Sequence, residues 1–511
     1  MVRFLLISTV ATALWLSISL GTTQAAPTIQ TTSGKLKGNS ISSTTNAYLG
    51  IPFAAPPVGS LRFLAPKALN TPNVVRNTTS FSAACVQFNS FYPPSPTGES
   101  EDCLYLNVWT SPNTTSPAPA PALSDASASS DCSGNLKPVM IWFYGGGWNS
   151  GGSSFSLNDL TLWATAHPEI VFVSVNYRLN IFGYPNSPGI SSANTNAGLR
   201  DQRLAIEWVS KNIANFGGDP ARIVLGGQSA GAGSISGYLY AYPSNSLIKG
   251  AILMSGQAPL AITPPPVPIP GLPIATNPFQ NISSAAGCAL QGSKYGAQLD
   301  CLRQKTSTEL IATMTQLNVL GIGPLVDNQL VFSVADYKSK GKNGRFAKVP
   351  ILTGTTDNEA DIFLIDRTTN TLNTTLSETF TLSIFRCFDS WQSSYSSSAG
   401  VPTYRYRYLG IFPSLSPPPL RAWHASDQVI LFGGIPTEPE ASATTYLQKA
   451  WSTFIVDPSN GLKQLGWPTY KGYSGKTLVD IFKNNNVQGN PIQTENPTAF
   501  DSGCAALGLG L

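Results

Sequence analysis

Residues 221–233 read ARIVLGGQSAGAG, and this stretch decides the fold. Its first part, RIVLGG (222–227), is short and apolar and contains β-branched residues, as a buried strand does. Its second part, GQSAG, has the pattern of a sharp strand-to-helix turn that presents a serine at the top of a sheet. Such a turn needs small neighbours like Gly227 and Gly231, because the backbone comes close to the following helix. Since Gly and Ser are common, the pattern alone leaves open whether Ser229 is a nucleophile or an ordinary turn residue.

Five other short apolar runs also have the character of buried strands. They are LYLNVW (104–109), VMIWFY (139–144), IVFVSVNY (170–177), GAILMSG (250–256) and VPILTG (349–354). Helical segments lie between them, and in the clearest, 198–215, apolar residues recur at the spacing of one helix face. Buried strands that alternate with helices predict an α/β fold with a large, mostly parallel central sheet covered on both faces.

The chain of 511 residues is long enough for one large α/β domain or for several ordinary ones. Two Pro-rich stretches, 112–122 and 259–277, are interpreted as loops, because proline removes a sheet donor and interrupts helices. Neither has the appearance of a long linker. We therefore predict a single domain with loop insertions over residues 26–511.

The first 25 residues have the features of a secretory signal peptide. Arg3 precedes an apolar run, 4–20, and small residues that suit cleavage follow near Ala25 and Ala26. The run is slightly short for a membrane span, which needs ~20 apolar residues, and it contains Ser and Thr. We expect a secreted, extracellular protein without stable membrane insertion. Its oligomeric state is left open by the sequence.

Glycosylation signals and charge agree with the secretory interpretation. Sequons for N-glycosylation lie at Asn77, Asn113, Asn281 and Asn373. Charged residues make up 11% of the chain, the formal net charge is +4, and no run of Lys or Arg stands out. Nucleic acid is therefore not an expected partner.

Seven cysteines are spread along the chain without the close pairs of a zinc or redox site. In a secreted protein they are expected to form disulfides, and the odd number leaves one cysteine over. Cys132 lies in the stretch TSPAPAPALSDASASSDCSG (115–134), which has the composition of a surface insertion. Cys132 is therefore the expected unpaired cysteine.

A serine hydroxyl becomes a good nucleophile only when a base removes its proton, and histidine is best matched to that task at neutral pH. The chain has two histidines. His167 precedes Pro168 at a predicted loop and is interpreted as a surface residue. His424 lies downstream of Ser229, where the strand-turn-helix architecture expects its base, in the order Ser, acid, His. His424 is therefore the candidate base.

The acid of such a site should lie between the serine and the histidine, after a strand. The segment VPILTGTTDNEADIFL (349–364) fits, and periodicity cannot separate Glu359 from Asp357 and Asp361. Donors for a developing oxyanion are also required. The loop 145–147, three consecutive glycines, can bring backbone N–H groups close to a substrate, and the N–H of Ala230 would complete the set.

Six longer motifs run through most of the chain after the predicted signal. They are YLGIPFAAPPVGSLRF (48–63), SEDCLYLNVW (100–109), YGGGW (144–148), NYRLNIFG (176–183), NAGLRDQRLAIEWVSKNIANFGGDPARIVLGGQSAG (196–231) and AWHASD (422–427). These motifs resemble the type-B carboxylesterases, the family of cholinesterases and many fungal lipases and esterases. The resemblance implies an α/β-hydrolase fold and an ester hydrolase that needs no metal or organic cofactor.

The resemblance also implies the roles of individual residues. It selects Glu359 among the three acids, because DNEADIF (357–363) aligns with the stretch that carries the family's glutamate. The implied roles are nucleophile for Ser229, base for His424, acid for Glu359, and oxyanion donors for Gly146, Gly147 and Ala230. The implied disulfides are Cys85 with Cys103, Cys288 with Cys301, and Cys387 with Cys504. Cys132 has no counterpart in the family.

Three departures from the family bear on the substrate. The loop 86–102, a long lid in interfacial lipases of the family, is short and rich in proline here, which favours soluble or moderately apolar esters over a triacylglycerol lipase or sterol esterase. Gln228 replaces the glutamate usual in cholinesterases, and the loop has Phe91 and Tyr92 in place of a Trp, so choline esters are not expected. The short span 359–424 suggests an open wall that admits bulky or aromatic esters such as hydroxycinnamates.

A function of a different class is an adhesion or binding module on the same fold, since some members of the family have lost the serine. The complete Ser, Glu and His set with its glycine-rich loop argues for the enzyme.

Overall fold

The computed structural model describes residues 25–90, 92–112, 136–264, 277–289 and 294–510. Residues 1–24 of the predicted signal peptide, most of the two Pro-rich stretches, Phe91, Asn113 and Cys132 lie outside the described residues.

Strands of the described chain are numbered β1 to β15. They are β1 (Ala25–Thr31), β2 (Gly34–Ser40), β3 (Asn46–Pro52), β4 (Val75–Asn77), β5 (Ala84–Cys85), β6 (Glu99–Ser100), β7 (Tyr105–Thr110), β8 (Lys137–Phe143), β9 (Val171–Val175), β10 (Gly218–Gln228), β11 (Gly250–Met254), β12 (Ile351–Thr356), β13 (Thr403–Tyr408), β14 (Leu478–Ile481) and β15 (Ile492–Glu495).

Helices of the described chain are numbered α1 to α14. They are α1 (Thr161–Ala166), α2 (Asn180–Gly183), α3 (Ala197–Asn212), α4 (Ala230–Ala241), α5 (Phe279–Ala285), α6 (Tyr295–Gln304), α7 (Ser307–Gln316), α8 (Val334–Lys342), α9 (Asp361–Leu364), α10 (Thr374–Phe380), α11 (Cys387–Ser398), α12 (Ser426–Phe432), α13 (Glu440–Val456) and α14 (Pro497–Asp501). None of them is long and apolar enough to cross a membrane.

Thirteen strands of the described residues form one sheet. Its order is β1-β2-β3-β7-β9-β8-β10-β11-β12-β13-β14-β15, with β4 beside β2. Neighbours from β9 to β14 are parallel, whereas the strands at both ends of the sheet pair mainly antiparallel. The six runs predicted as strands are β7 to β12, and the predicted helix is α3. The predicted α/β-hydrolase fold, with its mostly parallel sheet in a single domain, is therefore confirmed.

The parallel strands carry apolar side chains on both faces, which explains why helices pack on both faces of the sheet. Met140 and Trp142 of β8 join a buried cluster on one face, and the alternate residues Ile141 and Phe143 join a cluster on the other. Because successive residues of a strand point to opposite faces, a strand buried on both sides is a continuous apolar run. Helix α4 packs on the face of Ile141, and helix α13 packs on the face of Trp142.

The parallel strands also decide where the loops meet. Strands β8, β10, β12 and β13 run in the same direction, so the loops that follow their carboxyl ends emerge at one edge of the sheet. In open α/β sheets this edge is where ligands bind. Loop 145–147, Ser229, Glu359 and the segment that leads to His424 all follow these strands.

Candidate active site

Ser229 occupies a strained turn between β10 and α4. Its φ of 54° and ψ of −123° are unusual for a residue with a side chain, and its N–H donates to Met254 O at 2.8 Å. The Ser229 carbonyl accepts from the N–H of Gly233 at 2.8 Å, which begins the helix. Strain of this kind persists only where surrounding contacts hold the residue in place, and it is common at functional sites.

Glycine is required on both sides of the turn for steric reasons. A Cβ at Gly231 would lie 2.0 Å from the carbonyl oxygen of Phe143, the last residue of β8. A Cβ at Gly227 would lie 2.8 Å from the carbonyl carbon of Gly231. The close approach between β8, β10 and α4 therefore leaves no room for larger residues, as the sequence pattern indicates.

His424 lies against Glu359 in the fold, although 65 positions separate them in the chain. The imidazole Nδ1 lies 2.5 Å from Glu359 Oε2, and the His424 N–H donates to the Glu359 carbonyl at 3.1 Å. The other carboxylate oxygen, Oε1, accepts from the N–H of Thr356 at 2.8 Å. Glu359 is fully buried. One of its carboxylate oxygens contacts a backbone N–H and the other contacts a ring nitrogen, so both oxygens have a partner in the protein interior.

The two rival acids face other partners. Asp357 Oδ1 accepts from Arg407 at 2.7 Å on the surface side of its loop. Asp361 is buried and binds the guanidinium of Arg421 at 2.8 and 2.9 Å. Of the three acids that periodicity could not separate, the structure brings Glu359 to the imidazole.

Phenyl rings pack close to the imidazole of His424. The centroid of Phe385 lies 4.8 Å from that of His424, and the centroid of Phe363 lies 5.2 Å from it. Phe380 stacks with both, at 6.0 and 6.1 Å. We call Phe363, Phe380 and Phe385 the phenyl wall. The imidazole therefore has aromatic neighbours in addition to its polar contacts at the ring nitrogens.

The glycine loop 145–147 packs directly against the serine turn. A Cβ at Gly145 would lie 2.9 Å from the Cβ of Ser229. Gly146 and Gly147 have φ angles of 117° and 62°, which glycine adopts without strain. Within the described residues, the N–H groups of Gly146, Gly147 and Ala230 have no hydrogen-bond acceptor. Among the described residues, three backbone donors beside the serine turn are thus unpaired, although paired donors are the rule in a protein interior.

The residues after the glycine loop hold it in position. The Asn149 side-chain N–H donates to the Gly147 carbonyl at 2.6 Å, and its oxygen accepts from the N–H of Ile322 at 2.9 Å. The Trp148 indole N–H donates to Ser234 Oγ of α4 at 2.9 Å. These contacts fix the loop relative to helix α4, which follows Ser229.

Two buried polar residues lie near the imidazole, and the sequence did not predict that either one is close to His424. The Gln228 side-chain nitrogen lies 3.0 Å from His424 Nε2. Asp427 accepts from the Tyr406 hydroxyl at 2.8 Å, and burial together with the charge of Glu359 raises the pKa of Asp427 to about 7. Both residues lie inside quoted motifs, GGQSAG and AWHASD, but nothing in a motif shows which side chains face the histidine.

The remaining predicted residues lie away from this cluster. His167 pairs with Glu169 at 2.9 Å near the surface. Asn77, Asn281 and Asn373 are exposed, whereas Asn113 is outside the described residues. In the described chain, no group of three or more His, Cys, Asp and Glu side chains is arranged to hold a metal ion.

Three disulfides are closed in the part of the chain that the structure describes. They are Cys85–Cys103, Cys288–Cys301 and Cys387–Cys504, with Cα–Cα distances of 5.0, 5.6 and 5.5 Å. The third links Cys504, near the C-terminus, to Cys387, the first residue of α11. Cys132 lies outside the described residues.

Comparisons with known proteins agree with this geometry. A family model described as the carboxylesterase family matches residues 25–381. A chlorogenic acid esterase of Aspergillus niger is 33% identical over 488 residues, which is 88% of this chain and 90% of that protein. Secreted lipase 5 of Gibberella zeae is 30% identical over 486 residues, 86% of this chain and 87% of the relative. A cholinesterase of Mus musculus is 34% identical over 357 residues, 66% of this chain and 54% of the relative.

The family model covers the glycine loop, the serine turn and Glu359, and the two fungal relatives extend the likeness to most of the chain. The resemblance seen in the sequence motifs is thereby confirmed. The chain belongs to the carboxylesterase family and is a carboxylic-ester hydrolase.

Proposed function

We propose that the protein is a secreted serine hydrolase that cleaves esters through an acyl-enzyme intermediate. Ser229 attacks the ester carbonyl, and His424 takes the serine proton and passes it to the leaving alcohol. Glu359 orients the imidazole and stabilises its charged form. Water, activated by the same histidine, then releases the acid. The observation that carries the proposal is the 2.5 Å contact between Glu359 Oε2 and His424 Nδ1 beside the strained serine turn.

The unpaired N–H groups of Gly146, Gly147 and Ala230 support an oxyanion site. Donors that are fixed in place before the reaction stabilise the developing charge without a cost of reorganisation. The bracing of the glycine loop by Asn149 and Trp148 supplies that fixed geometry.

Within the described residues, the Ser229 hydroxyl has no hydrogen-bond partner, and His424 Nε2 contacts Gln228 instead. Catalytic hydrogen bonds are often long in a free enzyme and tighten only when substrate binds.

The loop that serves as a lid in interfacial lipases is anchored here. Gln87 exchanges hydrogen bonds of 2.6 and 2.9 Å with the backbone of Gly151, in the segment that follows the glycine loop. The Asn89 side chain donates to Val319 O at 3.0 Å. Strands β5 and β6 pair the two ends of the loop inside the Cys85–Cys103 disulfide. Anchoring at several points disfavours a large opening motion and supports soluble or moderately apolar esters as substrates.

Esters with an aromatic or bulky acyl group, including hydroxycinnamates, are the substrate class that we propose. The relative named chlorogenic acid esterase agrees with this class, since chlorogenic acid is itself a hydroxycinnamate ester. A triacylglycerol lipase or sterol esterase is the second candidate, which the relative named secreted lipase 5 favours.

Covalent labelling tests the catalytic assignment. We expect a fluorophosphonate to label the wild-type protein and not Ser229→Ala, and we expect Ser229→Ala to lose at least about 10⁴-fold in hydrolysis of a simple aryl ester. Equal thermal unfolding midpoints would show that both proteins are folded. A wild-type protein that takes no label and hydrolyses no aryl ester would instead favour a binding module.

A series of esters tests the substrate class. We expect methyl caffeate and short-chain 4-nitrophenyl esters to be hydrolysed with higher kcat/KM than palmitoyl esters, with no jump in rate when an emulsion forms. Sharp activation at the interface together with a preference for palmitoyl esters would favour the lipase.

The secretory assignment rests on the N-terminal sequence and the sequons, and the three disulfides and the relative named a secreted lipase support it. Expression of the full chain in a eukaryotic secretory host tests it. We expect protein in the medium that begins near Ala26 and loses mass on removal of N-glycans.

A further inference from the structure

Gln228 lies beside the proposed nucleophile but has no part in the mechanism above. It is the last residue of β10, its side chain is buried, and its amide nitrogen lies 3.0 Å from His424 Nε2. A Cβ at Gly145 would lie 2.6 Å from Gln228 Oε1, so the glycine loop packs closely on the other end of the amide. Buried polar groups in such tight surroundings are usually hydrogen-bonded in one defined way.

The direction of the hydrogen bond follows from the other side of the ring. His424 Nδ1 faces a carboxylate oxygen of Glu359, which accepts, so Nδ1 carries a hydrogen. A neutral imidazole has one N–H, and Nε2 therefore offers a lone pair. The Gln228 amide nitrogen is a donor that fits this lone pair.

We propose that Gln228 is a positioning residue that keeps His424 neutral, because its amide donates to Nε2 and opposes the addition of a proton there. This inference rests on the proposed role of His424 as the base. When Nε2 is protonated, two donors face each other and the hydrogen bond is lost. The free enzyme therefore holds the histidine in the form that can accept the proton of Ser229.

The carboxyl groups near the imidazole act in the opposite direction. Glu359 lies at Nδ1, and Asp427, which accepts from the Tyr406 hydroxyl, adds negative charge near the ring only above its pKa of about 7. Negative charge near an imidazole favours its protonated form. The phenyl wall adds no charge. Among these polar neighbours, Gln228 is the one whose hydrogen bond disfavours protonation, and a glutamate in its place would put a carboxyl at Nε2, the nitrogen that must stay free.

Two substitutions separate these effects. Gln228→Met keeps the length of the side chain and removes the donor, so the acid-side midpoint of the kcat/KM profile should rise by about half a unit to one unit. Gln228→Glu places an acceptor and a negative charge at Nε2, so the midpoint should rise further, by about one to three units. The rise means that activity on the acid side is lost at a higher pH than in the wild type.

The measurement is kcat/KM for 4-nitrophenyl acetate in a pH-stat from about pH 4 to pH 9, because this parameter reports the protonation of the free enzyme. The rate of fluorophosphonate labelling over the same range gives a second profile that involves no deacylation step. The matched control is Gln488→Glu, an exposed position in the turn between β14 and β15, which makes the same change of charge at the edge of the sheet. Unfolding midpoints identify variants that do not fold.

The expected order of the acid-side midpoints is wild type and Gln488→Glu, then Gln228→Met, then Gln228→Glu. If Gln228→Glu does not fold, the shift of Gln228→Met still decides. If Gln228 had a merely structural role, its replacement would lower the rate without moving the midpoint. If the pH profiles of the wild type and the Gln228 variants coincide while the wild type is labelled and active, this inference is overturned and the proposed function is not. A wild-type protein that is neither labelled nor active would overturn the proposed function and this inference with it.

Discussion

The two halves of the candidate active site are built in different ways. The serine half, from β10 to α4, is one continuous segment whose geometry is fixed by backbone contacts and by glycines that leave no room for a side chain. The histidine half joins two loops that are 65 positions apart and is fixed by side-chain contacts among Glu359, His424 and the phenyl wall. The serine half should therefore be sensitive to added volume, whereas the histidine half should be sensitive to the chemistry of single groups.

The largest effect is expected from removing the charge at Glu359. Glu359→Gln keeps the shape of the side chain but removes the carboxylate that contacts His424 Nδ1 and that we propose orients the imidazole, and kcat should fall by about 10³- to 10⁴-fold. Steady-state kinetics with an aryl ester would measure the loss.

A matched control lies two residues earlier in the same loop. Asp357→Asn removes a carboxylate that binds Arg407 near the surface, so kcat should change little and stability by at most about 1 kcal/mol. Equal losses of kcat in both variants would show that the loop as a whole, and not Glu359, supports the histidine.

The serine half is tested by adding one methyl group. Gly231→Ala places a Cβ 2.0 Å from the Phe143 carbonyl oxygen, and it should destabilise the protein by about 3 kcal/mol or more. Gly237→Ala lies in the same helix, where the nearest atom would be 3.7 Å away, and it should stabilise by about 0.5–1 kcal/mol. Chemical denaturation of both variants gives the comparison, and similar free energies of unfolding would contradict the steric account of the turn.

A smaller effect is expected at Asp427, where it depends on pH. The folded protein keeps this carboxyl protonated up to about pH 7, whereas the unfolded chain releases the proton near pH 4. Between these values the folded state binds more protons than the unfolded state, so stability falls as the pH rises. Asp427→Asn cannot ionise and retains an acceptor for the Tyr406 hydroxyl.

The stabilisation by Asp427→Asn relative to wild type should therefore be larger at pH 8 than at pH 5, by about 1–3 kcal/mol. Denaturant unfolding at the two pH values measures it. A stabilisation that is the same at both values would mean that Asp427 is not protonated in the folded protein.

The strands that the sequence did not predict show where pattern reasoning fails. Strand β13, TYRYRY, lies among the parallel strands, but its arginines interrupt the apolar run that marks a buried strand. Arg405 is fully buried because it binds Asp389 at 2.6 Å and Asp501 at 2.6 and 2.9 Å. A buried charge is tolerated when its partners are buried with it. Here one partner comes from the preceding helix, α11, and the other from α14, 96 positions further along the chain.

The sequence by itself determined the features that depend on neighbours in the chain. The buried strands β7 to β12, the glycine-flanked turn at Ser229 and the glycine loop 145–147 are set by local sterics and by apolar runs, which can be read over a few residues. The parallel sheet then follows from the alternation of strands and helices.

Only the tertiary structure decided which side chains that are far apart in the sequence contact each other. It brings Glu359 to the imidazole and leaves Asp357 and Asp361 with arginines, and it places the amide of Gln228 at Nε2. These pairings depend on where each loop ends up after the parallel strands are aligned. No local pattern contains that information, because partner choice is set by distances between residues that are far apart in sequence.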